Sequence, residues 1–302
     1  MSTHPRPTVA FASPDRQAEF FAAYDAVLTR WPVPVTGVDV DSPYGTTHVL
    51  VCGPEDGEPM VLLPGYGATA TAWFAAAGAL ARDHRVYAVD PLGQAGRSVP
   101  HGEPIRAATD LTAWLGHLLT ALGLERVHLC GHSFGAWTAM TYALNHALEG
   151  GHRLRSLSLL DPTRCFAGFR PSYLLHAAPM LLRPTDGRVR GFLHWETGGR
   201  ALDPAWLTLH ALGSVHFPAA KVVPNRPPRP ARLASSTVPT LVLLAERSRA
   251  HDIRAVAANA RARLPRVVVD VLPGAMHHSI PTEQAPELTR RLTAFLEGID
   301  DE

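Results

Sequence analysis

Val127-His128-Leu129-Cys130-Gly131-His132-Ser133-Phe134-Gly135-Ala136-Trp137 is the stretch from which the rest of the chain can be read. Val127 to Cys130 is an apolar run with the length of a buried strand, and a helix-like run begins near Phe134. Between them stands Gly131-His132-Ser133-Phe134-Gly135, a G-x-S-x-G pattern. A strand that turns abruptly into a helix brings two backbones close together, so the residues flanking the apex must be small. Ser133 at the apex is expected in a strained conformation, its side chain clear of the sheet and its backbone at a helix N-terminus that favours negative charge. The plainer alternative is a serine that only caps the helix. The strand before it and the helix after it favour an exposed nucleophile.

Outward from this turn, apolar strand-like runs alternate with helical ones. Met60 to Leu63, Arg85 to Val89, Leu154 to Leu160, Thr240 to Ala245 and Arg266 to Leu272 read as strands. Ala70 to Ala81, Leu111 to Leu122, Ile253 to Leu264 and Ala285 to Leu296 read as helices. This alternation predicts an α/β fold, a mostly parallel sheet with helices on both faces and right-handed crossovers. Ahead of it, Ser13-Pro14-Asp15 starts an amphipathic helix, and Val35 to Val40 and Thr46 to Val51 form two strands around a turn at Pro43-Tyr44-Gly45. From 166 to 234 the alternation fails. Prolines and scattered aromatics, among them Phe192, Trp195 and Trp206, suggest a small helical cap inserted between strands, with Asn225 to Pro230 an extended linker. The expected division is a core of residues 1–165 and 235–302, with 1–34 as a helical extension, and a cap at 166–234.

Composition narrows the function. The 302 residues are 46% hydrophobic and 18% charged, which describes a soluble protein with a sizeable core. A net charge of +1 gives no reason to expect nucleic acid or an anionic membrane as partner. Lys221 is the single lysine, so positive charge is carried almost wholly by arginine. No apolar run has membrane-spanning length, and Met1 to Thr8 has no signal-peptide core, so a cytoplasmic protein is expected. Cys52, Cys130 and Cys165 are widely spaced and read as buried free thiols, with no metal site. The oligomeric state leaves no mark in the sequence.

Taken in order, these landmarks resemble the α/β-hydrolase superfamily over nearly the whole chain. Pro64-Gly65-Tyr66-Gly67 after a strand looks like the family's oxyanion loop, with Pro64 where many members have His. Asp90 to Ser98 is similar to its Asp-x-x-Gly-x-Gly-x-Ser loop with one residue added. Pro273-Gly274-Ala275-Met276-His277 places a histidine just after the last strand, as the family does. The resemblance implies Ser133 as nucleophile and His277 as its base, with the adjacent His278 as the alternative. His132, common in the elbow, is expected to pack near the site. The family's acid generally follows the strand Thr240 to Ala245, but Ser248 occupies that position here. Asp161, directly after Leu154 to Leu160, is therefore the first candidate, with Asp252 second and Glu246 third. The backbone N–H groups of Tyr66 and Phe134 would form the oxyanion hole. No cofactor or metal is implied. A serine hydrolase cleaving an ester of a small, partly hydrophobic molecule is expected. Hydrolysis of a C–C bond, lactone or thioester, or acyl transfer, would use the same residues. A non-catalytic ligand-binding homologue is the alternative from another class, and the missing acid at position 248 is what favours it.

Overall fold

A computed structural model of the protein describes residues 11–148, 152–217 and 223–300. Lys221 and the segment Met1 to Thr8 lie outside the described residues. The chain opens with α1 (Pro14–Leu28), capped by the Ser13 hydroxyl, which accepts from the amide of Arg16. A hairpin of β1 (Thr36–Ser42) and β2 (Gly45–Cys52) follows. Alternation then begins with β3 (Glu58–Leu63), a 3-10 turn over Ala70–Trp73, α2 (Phe74–Leu80) and β4 (His84–Val89). Ala70 to Ala81, read as one helix, is thus a 3-10 turn leading into a short α-helix.

A two-residue strand, β5 (Val99–Pro100), pairs with β2 and carries no signal long enough to read in sequence. Next come α3 (Ala108–Ala121), β6 (Val127–His132), α4 (Phe134–Leu148) and β7 (Leu154–Leu160). Among the described residues, four helices separate β7 from the next strand: α5 (Pro171–Leu182), α6 (Asp186–Glu196), α7 (Pro204–His216) and α8 (Pro230–Ala234). The chain closes with β8 (Thr240–Ala245), α9 (Ile253–Arg263), β9 (Val267–Leu272), a 3-10 turn at His277–Ser279 and α10 (Ala285–Asp300).

The sheet runs β1-β2-β4-β3-β6-β7-β8-β9. The β1–β2 and β2–β4 pairs are antiparallel; every pair from β4–β3 through β8–β9 is parallel. Both faces are covered, and side chains alternate between two cores as strand geometry requires. Met60, Leu62, Leu241 and Leu243 enter the core shared with α1, α2 and α10, while Val61, Leu63, Val242 and Leu244 enter the core shared with α3, α4 and α9. The amphipathic face of α1 is buried through Phe20, Tyr24 and Val27 and packs on α7, with Phe11 set edge-on against Phe217. All three cysteines are buried and free.

Register aligns the strand ends that matter. Leu63 sits opposite Gly131, His132 opposite Leu160, and Leu160 opposite Leu243. The segments that follow β3, β6, β7 and β8 therefore leave the sheet side by side at its C-terminal edge, where open α/β sheets hold their ligands.

Candidate active site

Ser133 stands at the apex between β6 and α4 with φ 55°, the left-handed region that an L-residue with a Cβ avoids. The glycines on either side explain how the turn closes. A Cβ on Gly131 would collide with the backbone of Gly135, and one on Gly135 would collide with the carbonyl oxygens of Leu63 and Pro64. The Ser133 amide donates to the Leu160 carbonyl at 3.0 Å, which ties the strained residue to the neighbouring strand.

Three segments bring their side chains into one line. His277 Nε2 lies 2.8 Å from Ser133 Oγ, and His277 Nδ1 lies 2.6 Å from Asp161 Oδ2. An ionised carboxylate only accepts, so Nδ1 carries the proton and Nε2 accepts from the hydroxyl. Both His277 and Asp161 are buried, 1% and 0% exposed. Burial pushes the imidazole below its ordinary value and outweighs the upward pull of Asp161, leaving a neutral ring beside Ser133.

Asp161 is held more heavily than a single partner would hold it. It too lies in the left-handed region, with φ 41°. Burial alone would raise its pKa. The charge and hydrogen bond of His251, together with the hydrogen bond of His277, reverse this and hold the carboxyl well below the usual range. Four donors converge on its two oxygens. His277 Nδ1 and the Ser248 hydroxyl (2.7 Å) reach Oδ2, while His251 Nε2 (2.9 Å) and the Ala245 amide (3.2 Å) reach Oδ1. Ser248, at the position where an acid was anticipated, thus donates to the carboxylate of the preceding strand.

The other acid candidates sit elsewhere. Asp252 is exposed and caps α9, accepting from the amides of Arg254 and Ala255. Glu246 is exposed and accepts from the Gly274 amide at 2.6 Å. His278, the alternative base, turns its Nδ1 to Glu196, 3.0 Å away. His132 packs on His277 with ring centroids 4.9 Å apart, and its Nε2 donates to the His277 carbonyl at 2.9 Å. Burial keeps that ring neutral.

The Pro64-Gly65-Tyr66-Gly67 loop passes directly beside the serine. A Cβ on Gly65 would stand 3.0 Å from His132 Nδ1 and 3.4 Å from Ser133 Cβ. Phe134 is the first residue of α4, where an amide has no intrahelical acceptor. The Asp90 to Ser98 segment braces this loop. Gln94 Oε1 accepts from the Gly67 amide at 2.8 Å, and the buried Asp90 carboxylate accepts from the amides of Ala70 (2.6 Å) and Arg97 (2.8 Å).

A cavity of about 380 Å³ opens onto Ser133. Its walls are mostly apolar: Phe169, Tyr173, Leu174 and Met180 come from the α5 region, Phe192 from α6, and Trp206 and Phe217 from α7 and just beyond it. The Tyr66 ring also lines it. Trp195 does not; it stacks on His176 at 3.9 Å and carries the Arg249 guanidinium on its ring. His210 lies on the wall beside Gly67, and burial pushes its pKa down to about 3, so it adds a polar but uncharged surface. Among the described residues no cluster of His, Cys, Asp and Glu is arranged to hold a metal ion, and no helix is long and apolar enough to cross a membrane.

The fold agrees with what known proteins share with the chain. Residues 60–292 match the model of the Alpha/beta hydrolase family, and the chain belongs to that family. It is 27% identical to an uncharacterized carboxylesterase, nap, of Bacillus subtilis over 288 residues, covering 93% of each chain. It is 25% identical to carboxylesterase YbfK of the same organism over 299 residues, covering 96% of this chain and 98% of the relative. Among solved structures, naproxen esterase from Bacillus subtilis superposes with a TM-score of 0.85 at 26% identity, covering 94% of this chain and 99% of the other.

Nothing in the sequence marks the contacts that His251, Ser248 and Glu196 make in the site. Ser248 was visible only as a departure from pattern. His251 is one of sixteen histidines, with nothing local to single it out.

Proposed function

We propose that the protein is a serine hydrolase of the carboxylesterase type, acting on small, uncharged, partly hydrophobic esters. The observation that carries this reading is the unbroken hydrogen-bonded line Ser133–His277–Asp161 at the sheet's C-terminal edge. The relationship to Bacillus carboxylesterases over almost the full chain supports the same chemistry. A hydroxyl needs an adjacent base to attack a carbonyl near neutral pH. Ser133 Oγ attacks the ester carbonyl carbon as its proton passes to His277 Nε2. Asp161 stabilises the resulting imidazolium, and the oxyanion receives the amides of Tyr66 and Phe134, each such donor contributing about 3 kcal/mol. Collapse expels the alcohol, which takes the proton from His277. Water, deprotonated by the same nitrogen, then releases the acid and restores Ser133.

In this reading residues 166–234 form a cap over a core of residues 1–165 and 235–302, and the cap supplies half of the residues that line the pocket. A cavity of 380 Å³ lies within the usual range for small-molecule sites, about 300–1,000 Å³. No Asp, Glu, Lys or Arg lines it to pair with a charged acyl chain, and burial keeps the lining histidines His132 and His210 neutral. The test is turnover of p-nitrophenyl acetate, butyrate, octanoate and laurate. Hydrolysis that favours chains fitting the cavity and disappears in Ser133→Ala is expected. Folded protein that binds esters without turning any of them over would overturn the proposal in favour of a ligand-binding homologue.

A further inference from the structure

Glu196 is the last residue of α6, among the helices inserted between β7 and β8, and it is 0% exposed. Its carboxylate does not pair with a cation of its own helix. Oε1 accepts from the His277 amide at 3.1 Å; Oε2 accepts from the His278 amide at 3.3 Å and lies 3.0 Å from His278 Nδ1. Burial opposes its ionisation, and the charge and hydrogen bonds of His278 outweigh that, holding Glu196 below the ordinary carboxylate value. An ion kept at this depth is expensive unless several donors converge on it. Here they do, and two of them are consecutive backbone amides at the start of the 3-10 turn that carries His277.

A second bond fastens the same junction. Arg200, just past the end of α6, donates from Nη1 to the Gly274 carbonyl at 2.6 Å, three residues before His277. The loop between β9 and α10 is thus gripped on both sides of its curve by one end of α6. The His277 ring must hold two hydrogen bonds at once, to Ser133 and to Asp161, from a short turn after a left-handed Gly274 with φ 67°. Neither of those side chains fixes the backbone from which the ring hangs.

We propose that Glu196 is a positioning residue for the hydrolysis: it fixes the backbone of His277 from the inserted helices, so that the imidazole stays aligned between Ser133 and Asp161. This rests on the reading of His277 as the base. It also means that the segment shaping the pocket holds the base in place.

The test uses the full chain with Glu196→Ala and Glu196→Gln. Misalignment of a reacting group by about 1 Å costs on the order of 100-fold in rate, so Glu196→Ala is expected to lose about 100-fold in kcat on p-nitrophenyl butyrate while KM changes little. Glu196→Gln keeps a carbonyl acceptor for one amide and is expected to recover about tenfold of that loss, since its remaining bond is neutral. Proton NMR supplies a readout independent of turnover. The short bond from His277 Nδ1 to Asp161 should give a strongly downfield resonance, present in wild type, retained in Glu196→Gln and absent from folded Glu196→Ala. Equal losses in both variants tracking only a lowered Tm, with the resonance unchanged, would overturn the positioning role. If wild type shows the resonance but hydrolyses no ester, the esterase reading fails, and the resonance in the two variants still decides whether Glu196 positions His277.

Discussion

Replacing Asp161 by Asn examines the site at its most heavily bonded point. The two side chains are nearly the same size, and Asn tolerates the left-handed backbone at φ 41° better than most residues, so the fold should persist. The chemistry should not. Each carboxylate oxygen receives two donors, His277 and Ser248 on one side, His251 and the Ala245 amide on the other. An amide offers one acceptor oxygen and an NH2 group, so one pair must face a donor. If the NH2 turns to His277, the ring is forced into the tautomer whose Nε2 carries a hydrogen and cannot accept from Ser133. If the oxygen turns to His277, the geometry survives but the charge that stabilises the imidazolium is gone. The first outcome matches the loss seen when a triad acid becomes an amide, about 10⁴-fold in kcat, or roughly 5.5 kcal/mol at 1.36 kcal/mol per tenfold. The assay is steady-state hydrolysis of p-nitrophenyl butyrate, with circular dichroism and a thermal melt as controls for folding. Asp161→Asn within tenfold of wild type, together with inactive Asp252→Asn or Glu246→Gln, would refute the assignment of the acid.

Two further outcomes follow from the same structure. Burial lowers the His277 pKa below 6.5, and Asp161, Glu196, His278, His132, His251 and Tyr173 are the charged or titratable groups around it. Only the neutral ring can accept a proton, so activity is lost as pH falls through that depressed pKa, and the acidic half-point of kcat/KM should lie below pH 6.5; a half-point above 6.5 would contradict the burial argument. Gly135→Ala forces a methyl against the Leu63 and Pro64 carbonyls, backbone atoms that cannot swing aside. It should destabilise the protein by about 3 kcal/mol, lowering Tm by several degrees or preventing soluble expression, whereas an unchanged melt would mean that the elbow is less tightly packed than described.

Much of the fold was legible because its physics is local. Strands such as Met60 to Leu63 and Thr240 to Ala245 are buried on both faces, and a continuous apolar run bounded by turns says so directly. The elbow was legible because the close approach of two backbones permits only glycine at 131 and 135. β5 was not, because two residues paired to an edge leave no periodicity. The site was half legible. Ser133 and the His277 loop are marked by their neighbours in sequence, but a carboxylate's partner is set by register between strands. Asp161 meets Ser248 and His251 only because β7 and β8 pair with Leu160 opposite Leu243. Glu196 was hidden for a stronger reason. It comes from the stretch where pattern fails, and its role depends on where the end of α6 lands, 81 residues before the His277 amide it holds.

Whether Ser133 is an activated nucleophile is decided by covalent labelling with a fluorophosphonate, the modified peptide being mapped by mass spectrometry. A single adduct on Ser133 is expected that forms rapidly in wild type and is lost in His277→Ala, while His278→Ala still labels. Folded wild-type protein that takes up no probe, or an adduct that persists undiminished in His277→Ala, would contradict it.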